Sequence, residues 1–306
     1  PAVSSSFLER FFKIKEKNTS VRVEILAGIT TFIALAYIMF VNPNILADAG
    51  IPKEAAVAST IWIAALASLA VGVFANYPLA PGMGLNAFFA YYVCGVLGLH
   101  WTVALGAVFF SGIFFLILTV SHIRQAIINA VPPNLRIAIG AGIGLFIAFI
   151  GLKGTGLIIA DPATFITLGH VTKPETALSL FSLVFTGVLM ARNVQGAILI
   201  GIILTTILSM VLGYSPVPHS LSDIISTSLP HMGATFAQLD IVGAWNYGIF
   251  SIIFTFTVVE LFDNMGTLIG LTSKAGLVKE TGEIENLDKA LTTDAFGTIV
   301  SSIFGT

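Results

Sequence analysis

The sequence predicts an all-α membrane protein that crosses the bilayer several times. Of its 306 residues, 56% are hydrophobic and only 10% are charged, and the mean hydropathy is +0.95. Soluble domains carry about 25% charged residues, so this composition indicates that lipid is the natural solvent. The charges are also clustered, since no Lys or Arg occurs between Arg192 and Lys274.

Nine apolar stretches have the composition of membrane-spanning helices, for which about 20 apolar residues are needed to cross about 30 Å of hydrocarbon. Eight are clear and the ninth is short and only partly apolar; they are 23–42, 55–75, 83–98, 101–121, 135–152, 176–191, 196–213, 248–272 and 289–304. The third follows a break that contains Pro78, Pro81, Gly82 and Gly84, so it is predicted to be an interrupted span. Irregular backbone at membrane depth occurs only where protein or a water-filled cavity covers it.

The distribution of cations predicts a cytoplasmic N-terminus, because cytoplasmic loops carry an excess of Lys and Arg. Alternating the nine spans leaves eleven Lys and Arg inside and three outside, namely Lys53, Lys153 and Lys173. Residues 1–22 then form a cytoplasmic segment, and the longest connection, 214–247, is an external loop. We therefore predict a multi-pass protein of the cell membrane, that is, the plasma or inner membrane.

Two carboxylates in the eighth stretch are the strongest functional signal. An ionisable side chain inside a span is costly unless it faces a cavity or a partner. Glu260, Asp263, Asn264 and Thr267 follow the i, i+3, i+4, i+7 spacing of one helix face. This pattern predicts a polar site inside the helix bundle. The alternative is a polar stripe that only joins helices.

The interrupted third stretch predicts the other half of that site. Gly84 has no side chain and lets a ligand approach the backbone, while N–H groups at the start of a half-helix can donate hydrogen bonds. Asn86 offers both a donor and an acceptor, which suits a planar heterocycle better than a simple ion. Phe89 and Phe262 are candidates to stack on such a ring. The alternative is a tight helix contact with Asn86 as a cap.

Enzyme, metal and nucleic-acid functions find little support in the sequence. The five histidines fall in predicted loops without the spacing of a zinc site, no serine lies in a nucleophile elbow, and Cys94 has no evident base. The net charge of −2 comes without the dense cationic face that nucleic acid requires. We expect no cofactor and no metal.

At these residues the sequence resembles the nucleobase:cation symporter-2 group, in its azaguanine-permease-like branch of adenine, guanine and hypoxanthine permeases. The resemblance runs through essentially the whole chain. The segments that carry it are 7–13, 27–32, 81–89, 260–263, 266–268 and 289–294.

The resemblance implies a fold of 14 spans in two inverted seven-span repeats, with interrupted helices in spans three and ten. Residues 23–121 would form core-domain spans one to four, 122–213 gate-domain spans five to seven, and 248–306 core-domain spans eight and nine. The chain would thus cover about nine spans and lack the rest of the second repeat. The resemblance also makes a homodimer an expected assembly.

The function that the resemblance implies is import of a purine nucleobase by proton symport, through alternating access. Gly84, Asn86, Glu260 and Asp263 would bind the base, and Asp263, together with Glu260, would carry the proton. Two alternatives remain open. One is an anion transporter of related fold, which half-helix N-termini favour and two inward carboxylates oppose. The other is a membrane subunit that does not transport.

Overall fold

Helices make up most of the chain in the computed structural model, which describes residues 11–16, 19–77, 84–121, 132–218, 220, 231–248, 252–274 and 286–306. In chain order the elements are α1 Val21–Leu35, α2 Ile38–Asp48, α3 Lys53–Phe74, α4 Gly84–Ala87, a π-helix Phe88–Val96, α5 Trp101–Val120, α6 Pro133–Gly154, β1 Ile158–Asp161, β2 Phe165–Leu168, α7 Pro174–Ala191, α8 Ala197–Val211, α9 Ile241–Gly248, α10 Phe254–Lys274 and α11 Leu287–Phe304.

A helix lies at each of the nine predicted apolar stretches, so the prediction of helices there is confirmed. Within the described residues, four stretches are long and apolar enough to cross a membrane: Val21–Asp48, which contains α1 and α2, and then α3, α5 and α7. Shorter apolar helical stretches are Gly84–Val96, Gly144–Gly154 and Ala197–Val211. These helices fit a multi-pass membrane protein, while the number of crossings stays a prediction.

The first apolar stretch was predicted as one helix and is two. Helix α1 ends at Leu35, where the N–H of Ala36 donates to Phe32 O at 2.8 Å, and α2 begins at Ile38. The break coincides with a boundary between two compact units of the chain, since residues up to Tyr37 belong to one unit and Ile38 begins the other. The two halves of the stretch therefore pack against different neighbours.

Two further elements lie in segments that were predicted as loops. Strands β1 and β2 form an antiparallel hairpin between α6 and α7. At its turn, Asp161 Oδ1 accepts 2.8 Å hydrogen bonds from the backbone of Ala163 and Thr164. These bonds, with that from Thr164 the largest cause, hold the pKa of Asp161 below its usual range. Helix α9 lies largely within the predicted external loop 214–247, and Asp240 caps it by accepting from the N–H of Gly243.

The first compact unit comprises residues 1–37, 76–78 and 172–217, and contains α1, α7 and α8. Helices α7 and α8 approach closely at Gly201, where an added Cβ would lie only 2.0 Å from Thr186 Oγ1. One turn along α8, Thr205 Oγ1 donates to Ser182 Oγ at 2.6 Å. Small residues and hydroxyl bonds of this kind hold helices together in lipid, where apolar contact alone gives little driving force.

The second compact unit comprises residues 38–75, 79–171 and 218–306, and it contains every predicted site residue. Its centre is an apolar cluster of buried side chains from α2, α3, the π-helix, α5, α9 and residues 252–256. Helix α5 lies between α9, α10 and α11 and contacts all three. Helix α5 packs closely on α11 at Gly112, where an added Cβ would lie only 2.8 Å from Ile299 Cγ1.

Candidate functional site

Glu260 is almost completely buried, with 1% of its surface exposed, and both of its carboxylate oxygens accept hydrogen bonds. Ser111 Oγ on α5 donates to Oε2 at 3.0 Å, and Thr298 Oγ1 on α11 donates to Oε1. A buried carboxylate is tolerated only when its oxygens are hydrogen-bonded. Glu260 therefore joins α10 to two neighbouring helices. We call Glu260, Ser111 and Thr298 the Glu260 cluster.

A second carboxylate, on α11, bonds the same face of α10. Asp294 Oδ2 accepts a hydrogen bond from Asn264 Nδ2, four residues along α10 from Glu260. The backbone carbonyl oxygen of Asp294 lies 3.3 Å from Thr298 Oγ1, whose hydrogen bonds Glu260. Part of the predicted polar stripe thus contacts α11.

Asp263 lies on the same face of α10 but meets a different partner, the first residue of α4. A Cβ placed on Gly84 would lie 2.7 Å from Asp263 Oδ2 and 3.1 Å from its Cγ. Only a glycine leaves room for the carboxylate at this distance. The carboxylate is half-buried. The structure thus brings together Gly84 and Asp263, which the sequence predicted to belong to one site.

Asn86 follows Gly84 on α4, and its side chain enters a buried hydrogen-bond network. Its Nδ2 donates to Oδ1 of Asn42 on α2, a residue with 2% of its surface exposed. Asn42 Nδ2 in turn donates to Thr60 Oγ1 on α3 at 2.9 Å and to Thr306 Oγ1 at 3.1 Å. We call these four side chains the Asn42 network. Its contacts fix the position of Asn86 from the side of α2.

The aromatic candidates differ in their surroundings. Phe89 is 4% exposed and belongs to the apolar cluster, whereas Phe262 is half-buried on α10. Phe88 and Tyr92 stack with ring centroids 5.0 Å apart and line a cavity together with Ile252 and other side chains. That Phe89 and Phe262 stack on a ligand stays a prediction.

Two parts of the predicted site fall outside the described residues. Thr267 is on α10, but its side chain is outside the described residues, as is the break at 81–83. Within the part that is described, no group of three or more His, Cys, Asp or Glu side chains is arranged to hold a metal ion.

Sequence reasoning missed Asn42, Ser111 and Thr298 as partners of the candidate residues. Asn42 closes the first apolar stretch and Ser111 lies in the middle of the fourth, so an isolated polar residue in an apolar run was the available signal. Asp294 was noted only within the resemblance, although an ionisable residue inside the ninth stretch pointed to a site by the same rule that selected Glu260.

Comparison with known proteins assigns the whole arrangement to a family. A family model described as the permease family matches residues 22–306. The chain belongs to this permease family. Together with the relatives given below, this match confirms the predicted resemblance to nucleobase permeases, and the chain belongs with transporters of the membrane rather than with enzymes.

Named relatives of this permease have related descriptions. A permease of Methanocaldococcus jannaschii is 48% identical over 302 residues, which is 98% of this chain and 68% of that protein. The adenine permease AdeP of Escherichia coli is 41% identical, covering 98% of this chain and 66% of its own length. The guanine/hypoxanthine permease PbuO of Bacillus subtilis is 39% identical, covering 96% of this chain and 69% of its own length. The chain spans about two thirds of the length of these relatives.

Proposed function

We propose that the complete protein, as its gene encodes it, transports a purine nucleobase. The relatives described as adenine and guanine/hypoxanthine permeases support this substrate class. The close approach of Gly84 to the Asp263 carboxylate is the observation that assigns the proposal to particular atoms. Asn86 follows Gly84 by two residues on the same short helix. A glycine backbone, a carboxylate and an amide side chain together match the mixed donor and acceptor edge of a purine.

Asp263 is the residue to which we assign both the base and the coupled proton. A half-buried carboxylate inside a helix bundle can accept a hydrogen bond from a base N–H, and it can also take up and release a proton. Transport would then be proton symport by alternating access, in the direction of import. Glu260 was predicted to share the proton, but hydroxyl donors occupy both of its oxygens. We therefore propose that Glu260 chiefly positions α10.

The architecture that we propose for the complete protein is the inverted pair of seven-span repeats, with core and gate domains, that the resemblance implies. The excess of Lys and Arg in alternate loops supports a cytoplasmic N-terminus in the cell membrane. Phe89, Phe262 and Thr267 remain proposed contacts of the base. A homodimer is the proposed assembly.

Uptake measurements test this function directly. Cells that lack endogenous purine uptake are given the complete protein, and entry of radiolabelled adenine, guanine and hypoxanthine is measured at two external pH values. We expect uptake of at least one base, faster at the lower pH and abolished by a protonophore. Uptake that depends neither on the external pH nor on the protonophore would exclude proton coupling. It would still support a purine as the substrate.

The variant Asp263→Asn tests the assigned residue. It removes the exchangeable proton but keeps the size of the side chain, so we expect uptake to fall at least tenfold, with pH dependence lost and the amount of folded protein unchanged. Asp48→Asn is a suitable control, because Asp48 is at the end of α2, where it accepts from Tyr91 Oη. Equal uptake by Asp263→Asn and wild type would remove Asp263 from the mechanism.

A further inference from the structure

The hydrogen bonds of the Asn42 network run in one direction, which the hydroxyl of Thr60 sets. The hydroxyl of Thr60 has a single hydrogen, and it donates that hydrogen to Ala56 O at 2.7 Å. Towards Asn42, Thr60 therefore acts as an acceptor, and Asn42 must present its NH₂ group. The reverse orientation of the Asn42 amide would take the hydroxyl hydrogen away from Ala56 O.

The orientation of Asn42 determines the orientation of Asn86. With its NH₂ group directed at Thr60 and Thr306, Asn42 offers only its carbonyl oxygen to Asn86. Asn86 must then donate through Nδ2, since its own carbonyl oxygen in that place would face another carbonyl oxygen. Asn42 is 2% exposed, so water cannot easily replace a lost bond there.

We infer that Asn42 is a positioning residue, which holds the Asn86 amide so that Asn86 offers a carbonyl oxygen, a hydrogen-bond acceptor, to the transported base. This inference rests on the proposed function and deepens it. The group of the base that Asn86 recognises is then an N–H: either a ring N–H or an exocyclic amine. A bare ring nitrogen, which is itself an acceptor, would be rejected at this position.

Purine analogues can measure that preference. Inhibition of labelled purine uptake by the complete protein is compared for two sets of compounds. In the first set an N–H donor is methylated or removed, and in the second a ring nitrogen acceptor is replaced by C–H. For wild type we expect at least one donor deletion to weaken inhibition about tenfold, the effect of one lost hydrogen bond that leaves a buried acceptor unpaired.

The protein variants then show whether Asn42 sets this preference. In Asn42→Leu the Asn86 amide is free to rotate, so we expect the donor-deletion effect to shrink to about threefold or less. Asn42→Asp keeps an oxygen for Asn86 Nδ2 and should keep the tenfold effect, even where total uptake falls. Asn44→Leu is the matched control: it lies on the same helix but is exposed and bonds Phe40 O, so its profile should equal that of wild type.

The outcomes separate this inference from the function on which it rests. If wild type transports purines and Asn42→Leu keeps the full donor-deletion effect, the positioning role is overturned. If Asn42→Leu instead abolishes the effect of the acceptor deletions on inhibition, the Asn86 amide points the other way. The inference is then likewise overturned. If wild type transports no purine, the proposed function fails, and the role of Asn86 towards a base fails with it.

A thermal-unfolding cycle on purified protein tests the Asn42–Asn86 bond itself in every case. We expect Asn42→Leu and Asn86→Leu to be non-additive, because each removes the same hydrogen bond. Additive effects of the two substitutions would show that the side chains are not coupled.

Discussion

Glu260 and Asp263 lie three residues apart on one face of α10, yet their surroundings differ in kind. Glu260 is 1% exposed, and hydroxyls from two other helices bond both of its oxygens. Asp263 is half-buried and lies against the bare backbone of Gly84, the first residue of α4. Two carboxylates that one sequence pattern groups together therefore have different surroundings: Glu260 joins helices, and Asp263 is the carboxylate to which we assign the base.

Gly84→Ala should have the largest effect on this comparison. The new Cβ would lie 2.7 Å from Asp263 Oδ2. Because the carboxylate is the far end of a side chain, it can swing aside, so stability should change by less than about 1 kcal/mol. Uptake should fall about a hundredfold, since displacement of a reacting group by about 1 Å costs a factor of that order. Labelled-purine uptake per folded protein measures this loss.

Gly72→Ala serves as the control for Gly84→Ala, because a Cβ on Gly72 in α3 would have no atom within 4 Å. It should leave uptake unchanged. Equal uptake by the two alanine variants would contradict a functional contact between Gly84 and Asp263.

Gly112→Ala should act on the other region, and on stability. A Cβ there would lie 2.8 Å from Ile299 Cγ1 and 3.1 Å from its backbone N, so α5 and α11 must separate next to the Glu260 cluster. We expect a loss of about 1–3 kcal/mol, as for other overpacked sites, with uptake per folded protein within about threefold of wild type. Thermal unfolding in detergent measures it, and Gly151→Ala, which meets no atom within 4 Å, is the control.

Glu260→Gln should have a smaller effect. A glutamine can accept from one hydroxyl through its oxygen and donate to the other through its NH₂ group, so both hydrogen bonds survive with one hydroxyl reoriented. We expect stability within about 1 kcal/mol of wild type and uptake within about threefold. A loss of uptake as deep as that of Asp263→Asn, with normal stability, would instead support the proton-carrying role that was predicted for Glu260.

The smallest effect is expected from Asp161→Ala in the hairpin between α6 and α7. Asp161 bonds only its own turn among the contacts described, so its removal should loosen residues 158–168 without changing uptake. Because its pKa is lowered in the folded hairpin, its contribution is present above the usual aspartate range and is lost as the pH falls through the lowered value. Hydrogen exchange of the hairpin amides at falling pH, in wild type and variant, measures this difference. Because the variant lacks this carboxylate, only the wild-type hairpin should lose protection as the pH falls, and an equal loss of protection in both proteins would contradict this prediction.

Much of the fold could be predicted, because long apolar runs leave a membrane chain few alternatives to helices. The break at Ala36 could not, since no Gly or Pro marks it; it lies next to the boundary at Tyr37 between the two compact units. The hairpin and α9 were missed because short elements outside the apolar runs carry a weak pattern.

For the site, helical spacing placed Glu260, Asp263 and Asn264 on one face, and the structure agrees for the contacts of these side chains. Spacing could not tell which carboxylate would be enclosed. That difference depends on Ser111 and Thr298, which come from distant parts of the chain. Asn42 and Asn86 are likewise 44 positions apart, and only tertiary packing joins them.

The π-helix that follows α4 has a practical consequence for mutagenesis of the third apolar stretch. Its turns are wider than those of an α-helix, as the Leu97 N–H donation to Tyr92 O, five residues back, shows. Side chains between Phe88 and Val96 therefore do not repeat with the α-helical period. A scan of these positions drawn on an ordinary helical wheel would assign lipid-facing and protein-facing residues to the wrong sides, and the error would grow with each turn away from Asn86.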